Sequence, residues 1–114
     1  MNIINLDQLI SMTSLEIAEL TGKRHDNVIR DVRKMLEELN GLSFEGVNEE
    51  TYKDAKGETR TLYRLDRKHT FILVAGYSVQ LRAKCYDYIQ MLEQKILRLE
   101  DQQKRAAVQS AAVV

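Results

Sequence analysis

The chain has 114 residues, 44% hydrophobic and 30% charged, a composition that folds and that suits one compact domain with an appendage rather than two full domains. Lys plus Arg number 17 and Asp plus Glu number 17, so the balance of zero gives no drive for nonspecific adhesion to polyanions. No apolar run nears the ~18 residues of a membrane span, the first ten residues lack the regions of a secretory signal, and the lone Cys85 excludes an internal disulfide; a reducing cytoplasm is the expected compartment.

Residues 1 to 12 carry Ile3, Ile4, Leu6, Leu9 and Ile10 and read as an entry strand or a short packed segment. Thr13-Ser14-Leu15-Glu16 then sets a hydroxyl three residues before a glutamate, the pattern of a capping box. The helix it opens carries Leu15, Ile17, Ala18 and Leu20 and stops after about two turns at Gly22, a C′ glycine. A second helix starts at once, capped by His25 or Asp26. Its apolar stripe is Ile29, Val32, Leu36 and Leu39, with Val28 and Met35 beside them. The opposite face carries Asn27, Arg30, Lys34 and Glu38, and Asn40-Gly41 ends the helix.

Residues 43 to 65 turn to strand formers, among them Phe44, Val47, Tyr52, Thr61 and Tyr63. Two antiparallel strands, roughly 48 to 53 and 59 to 65, are expected around the turn Asp54-Ala55-Lys56-Gly57. Asp66 can cap a short helix from Arg67 to Ala75, and its run Phe71-Ile72-Leu73-Val74-Ala75, apolar on all sides, predicts burial. Gly76 breaks that helix, and Ser78 caps a long one from Val79 to about Arg105. Here Cys85, Ile89, Leu92, Ile96 and Leu99 recur at steps of four and three, a heptad seam that favours a parallel pair. A homodimer through Ile89, Leu92, Ile96 and Leu99 is expected. Tyr86 and Tyr88 suggest that the early turns touch the chain's own core, so about two heptads remain, too few without help from the globular parts. The expected division is 1 to 78 as one domain, 79 to 105 as the long helix and 106 to 114 as a frayed tail.

Net neutrality hides a sorted charge. Residues 22 to 34 hold five cations against two carboxylates, and residues 53 to 68 hold six against three. Between them, residues 35 to 52 hold five glutamates and no Lys or Arg. Sorted charge suits a one-sided binder of a polyanion. Two short helices joined by Gly22-Lys23-Arg24, the second basic at its start, make a helix-turn-helix pattern. In that pattern the first residues of the second helix meet base edges. Asn27 can pair with an adenine edge and Arg30 can fork onto a guanine, while Lys23, Arg24, His25 and Lys34 position the helix. The hairpin would act as a wing, with Lys53, Lys56 and Arg60 against phosphates.

The stretch MTSLEIAELTGKRHDNVIRDVRKMLEEL, residues 12 to 39, resembles the N-terminal segment of the Rha family of phage regulatory proteins. The stretch YRLDRKHTFILVAGYSVQLRAKCYDYIQML, residues 63 to 92, resembles the second half of the same domain. The resemblance covers most of residues 3 to 95, and LTGKRHDNV with LVAGYS and LRAK is the specific part. It implies an α+β winged helix-turn-helix with a small antiparallel hairpin and a long C-terminal helix. It also implies a DNA-binding regulator of phage or prophage origin, akin to parts of some phage antirepressors. The family's turn maps onto Lys23, Arg24, His25 and Asn27. Many such proteins continue into a further C-terminal domain, and a partner-binding role housed there would be missing from this chain.

His25, in the turn, is expected to contact DNA; the other reading is a capping or packing histidine. His69, in the apolar short helix, reads as a satisfied core histidine, and Cys85 as a small apolar packing residue. The three lack metal-ligand spacing, so neither a metal nor another cofactor is expected. There is no glycine-rich phosphate loop, nucleophile elbow or supported carboxylate pair, so no enzyme is expected. The rival reading is an antirepressor whose acidic block, residues 35 to 52, engages a basic face of a repressor protein.

Overall fold

The computed structural model describes residues 9–39 and 45–112, with the side chains of the last helix described through residue 107. Expectations for residues 1–8, Phe44, the Asn40-Gly41 helix end and the last two residues lie outside these. In chain order the elements are β1 (Ser11–Thr13), α1 (Ser14–Thr21), α2 (His25–Glu38), β2 (Val47–Lys53), β3 (Thr59–Asp66), α3 (Arg67–Val74) and α4 (Val79–Ala112). The chain is α+β, with these four helices and a three-stranded antiparallel sheet in the order β1-β3-β2.

Local chemistry sets the element ends. Thr13 closes β1 and caps α1: its Oγ1 accepts the Glu16 N–H at 3.1 Å, and Glu16 Oε1 accepts the Thr13 N–H at 3.1 Å. Gly22 ends α1 with φ of 76°, a left-handed conformation a β-carbon would disfavour, and its N–H reaches Ala18 O at 2.9 Å. The start of α2 differs from expectation. Arg24 is the N-cap, with no side-chain cap, and His25 is already helical. Asp26 spends its carboxylate on the Asn27 N–H at 3.0 Å, in a first turn where negative charge is favourable.

The hairpin runs in register from Val47↔Leu65 to Lys53↔Thr59. The five-residue tip is folded by Asp54, whose Oδ1 accepts the N–H of Lys56 and of Glu58, each at 2.9 Å. Gly46 enters β2 at φ of 95° and accepts the Asp66 N–H at 2.7 Å; a β-carbon there would overlap the Asp66 carboxylate. That carboxylate caps α3 by accepting the His69 N–H at 2.8 Å.

The core gathers Ile10, Met12, Ile17, Val28, Val32, Leu65 and Ile89, each contributing ~1.5–3 kcal/mol by burial. Three expectations change here. The apolar run of α3 is not buried all round, because Ile72 is 38% exposed and Phe71 is half-buried against Tyr86. The last helix continues to Ala112 rather than about 105. At 34 residues it is about 51 Å long, which accounts for a molecule measuring 56 × 32 × 29 Å. The early turns of α4 meet the chain's own core as expected, with Cys85 and Ile89 buried in it, but Leu92 and Ile96, expected to be left for a partner, pack on that core too. Ile89 therefore faces inward and is out of a partner's reach, while Leu99 is 53% exposed.

His69 is buried, and its Nδ1 donates to Asp66 Oδ1 at 2.7 Å. The expectation of full satisfaction is met on one side only, since Nε2 is buried without a hydrogen-bond partner among the described residues. Bare imidazole nitrogen is an acceptor, so the donor at Nδ1 is the one the Asp66 carboxylate needs.

Candidate nucleic-acid interface

The apolar stripe of α2 fixes what its other side presents. Val28, Val32 and Met35 are buried, which turns Asp26, Arg30, Arg33, Lys34, Glu37 and Glu38 outward, all of them exposed. Asn27 stands half-buried at the edge of this face. The hairpin lies beside the face without covering it. Arg33 marks the border: its Nε donates to Tyr63 Oη at 3.3 Å, and its guanidinium lies 6.0 Å from the centre of the Tyr63 ring. Between the start of α2 and the hairpin is an open cleft of about 730 Å³, lined by Arg24, Arg33 and Arg60 among others.

The expected site residues divide into two sets. Arg24, Arg30 and Lys34 reach solvent, as does Lys56 on the hairpin tip. The Arg24 side chain is 81% exposed, with Asp26 at 3.4 Å; an ion pair this open contributes little and leaves the guanidinium able to exchange partners. The other set has side-chain partners within the chain, although Lys53 and Arg60 are themselves exposed. Lys23 is expected on phosphates, but its Nζ sits 4.4 Å from the centre of the Tyr77 ring and 3.8 Å from Asp31. Tyr77 donates to the same Asp31 carboxylate at 3.0 Å, and burial together with that bond pushes its phenol pKa well above the usual value. Arg60 is held by Asp54 at 2.6 Å and Glu58 at 3.4 Å, and the guanidinium in turn keeps the Asp54 carboxyl below its ordinary pKa. Lys53 donates to Thr59 Oγ1 at 2.6 Å.

His25 is the clearest correction. Its ring turns inward, between the start of α1 and the hairpin. Nε2 lies 2.9 Å from Ser14 Oγ and Nδ1 lies 3.4 Å from Tyr52 Oη, with the two rings edge to face at 5.9 Å. Burial lowers its pKa below the ordinary imidazole value, with Asp26 opposing the shift in part. The reading as a base or phosphate contact gives way to a packing histidine, because both ring nitrogens already have partners within the chain.

Arg33, Ser14 and Tyr52 are the residues sequence reasoning missed. Arg33 had a signal, being three residues after Arg30 and so on the same face. Ser14 had none, since its Oγ accepts the Tyr63 N–H at 2.9 Å across 49 positions of chain. Among the described residues, no group of three or more His, Cys, Asp or Glu could hold a metal ion, and no helix is long and apolar enough to cross a membrane.

Residues 12–94 match the family model for the phage regulatory protein Rha. The chain is 35% identical over 83 residues to an uncharacterized protein of Haemophilus influenzae strain Rd, a match covering 71% of this chain and 48% of that protein. The chain thus spans about half the length of that curated relative. No solved structure matches it. With the family model covering α1, α2, the hairpin, α3 and the first half of α4, the chain belongs to the phage regulatory protein Rha family.

Proposed function

We propose that the chain is a winged helix-turn-helix regulator that binds double-stranded DNA, with α2 entering the major groove and the β2–β3 hairpin beside it as the wing. The observation that carries this reading is the open, cation-bearing face of α2, with Arg30, Arg33 and Lys34 exposed together and Asn27 at its edge. A face of this kind can fork onto guanine and reach phosphates at once. Arg30 and Asn27 would read bases, and Arg24, Arg33 and Lys34 would hold the backbone. Of the wing residues, Lys56 would touch phosphate, and Lys53 and Arg60 would do so only by leaving their present partners.

A homodimer would place two such helices on successive half-sites. In this reading the second copy meets the distal part of α4, at Leu99 and the outer edges of Leu92 and Ile96. No cofactor is required, and the host cytoplasm is the proposed place of action.

The test is selection of bound sites from a random DNA pool, followed by titration across salt. Arg33→Ala and Lys34→Ala should each lower the salt slope by about one, while Arg30→Ala should relax base choice at one position. Failure to enrich any sequence, with no dependence of binding on salt, would reject the reading.

A second reading keeps one supporting observation. Glu37, Glu38, Glu45 and Glu49 are exposed on the end of α2 and the start of the hairpin, an acidic surface suited to the basic face of a repressor protein. Copurification with such a repressor, with no DNA shifted, would favour this antirepressor role.

A further inference from the structure

The Ser14 hydroxyl decides what His25 does. Ser14 is fully buried at the start of α1, and its Oγ already accepts the Tyr63 N–H at 2.9 Å. Its own O–H needs an acceptor, and His25 Nε2 stands 2.9 Å away. If Nε2 carried a proton, Ser14 Oγ would accept twice and bury its hydrogen unpaired, a costly state in a dry site. The proton therefore belongs on Nδ1, which donates to Tyr52 Oη at 3.4 Å. The result is a directed chain from the Tyr63 amide on β3, through Ser14 on α1 and His25 on α2, to Tyr52 on β2.

We propose that His25 is a positioning residue, which clamps the start of α2 to α1 and to the hairpin and so sets the angle between the groove-reading face and the wing. The clamp rests on the DNA-binding reading for its functional consequence but not for its existence. Charged groups among the described residues also border the ring. Asp26 and Arg33 lie on its own helix, Arg24 in the turn and Arg60 on β3, and all four line the adjoining cleft. Burial, working against Asp26, keeps the ring neutral at neutral pH, the form the chain of bonds requires. Small errors at this joint are magnified along α2, because Arg30 and Lys34 lie one and two turns or more beyond it.

Two measurements test the clamp. Nitrogen-15 NMR of the His25 ring in the free protein should show a protonated Nδ1 and a bare Nε2. An Nε2–H tautomer, or a doubly protonated ring at neutral pH, would overturn the assignment. The second is a double-mutant cycle on the selected DNA site. Ser14→Ala and His25→Ala should each weaken binding about tenfold, and the double variant no more than either alone. His25→Gln, whose amide oxygen can still accept from Ser14, should recover most of the loss, and His25→Phe should not. The salt slope should stay at the wild-type value throughout. If His25→Ala instead lowers the slope by about one while Ser14→Ala leaves affinity intact, His25 is a phosphate contact and the proposal fails. If the wild-type protein binds no DNA, the functional reading falls, and the tautomer with the same cycle run on urea unfolding still decides whether the clamp exists.

Discussion

Glu16 ties three parts of the chain, and Glu16→Ala measures how much that joint holds. Its Oε1 accepts from the Thr13 N–H at 3.1 Å and the Thr13 hydroxyl at 3.0 Å, and its Oε2 accepts from Tyr88 Oη on α4 at 2.9 Å. Losing the glutamate half of a capping box costs about 0.5–1 kcal/mol. Losing a hydrogen bond to a carboxylate costs about 1.5–3 kcal/mol when buried, discounted here because Glu16 is partly exposed and water can replace some of it. The sum is about 2 kcal/mol, or roughly 8 °C in Tm for a domain of this size. Urea unfolding followed by circular dichroism is the assay, with Tyr88→Phe as the companion at about 1 kcal/mol. Because Glu16→Ala removes the acceptor and Tyr88→Phe the donor of one and the same bond, the double variant should fall short of additivity by about 1 kcal/mol. The same bond, with burial second, raises the Tyr88 phenol pKa, so the alanine variant should ionise a tyrosine at lower pH. A Glu16→Ala loss below about 0.5 kcal/mol, or strict additivity, would refute the reasoning.

Gly46→Ala should be far more damaging than Gly22→Ala. Both glycines have positive φ, but only at Gly46 does the new methyl meet the Asp66 carboxylate that caps α3, whereas at Gly22 it would meet nothing within 4 Å among the described residues. Equilibrium unfolding should give about 1 kcal/mol for Gly22→Ala and several times that for Gly46→Ala. Stability should also depend on pH through His25, whose folded pKa lies below the ordinary 6.5. The unfolded chain then takes up a proton that the folded one resists. This contribution is complete above about pH 6.5, declines as the pH drops through the folded value and is gone below it. His25→Gln should remove that step from the pH profile of unfolding, and a profile unchanged by the substitution would count against it. Asp31→Asn should loosen Lys23 from its carboxylate and ring. The expected outcome is a salt slope for DNA steeper by up to one unit, with a loss of about 1 kcal/mol in unfolding from the weakened Tyr77 bond.

Much of the fold was legible because the signals are local. The Thr13–Glu16 box, the glycine after α1 and the Asp54 turn each act within a few residues and sit where the sequence predicts, and the helical period of α2 holds too, although its buried line is Val28, Val32 and Met35, with Ile29, Leu36 and Leu39 half-buried beside it. The departures have nonlocal causes. Nothing within α3 announces that Ile72 would face outward, because that depends on where α2 and α4 leave room. The tyrosines of α4 pointed its early turns at the chain's own core, where Cys85 and Ile89 lie, but the heptad spacing could not show that Leu92 and Ile96 would pack there too, since an apolar face packs as readily on its own domain as on a second copy. The site was read less well for a related reason. Charge counts register Lys23 and Arg60 as available cations, while Asp31, Tyr77, Asp54 and Glu58, three of them six to 54 positions away, sit against them. Arg30 and Lys34 were read correctly as exposed because an amphipathic stripe alone decides it.

Two helices in this chain begin on the last residue of a strand, with no linker: Thr13 belongs to β1 and caps α1, and Asp66 belongs to β3 and caps α3. The two strands are neighbours, pairing Ser11 with Asp66 and Thr13 with Arg64. There is thus no slack at either junction. Adding or deleting one residue in β1 or β3 would turn inward side chains outward and drag a cap off its helix in the same move. Length variation among relatives should be sparse at these seams and concentrate at the tip around residues 54–58, where the backbone closes on itself and an extra residue disturbs only the turn.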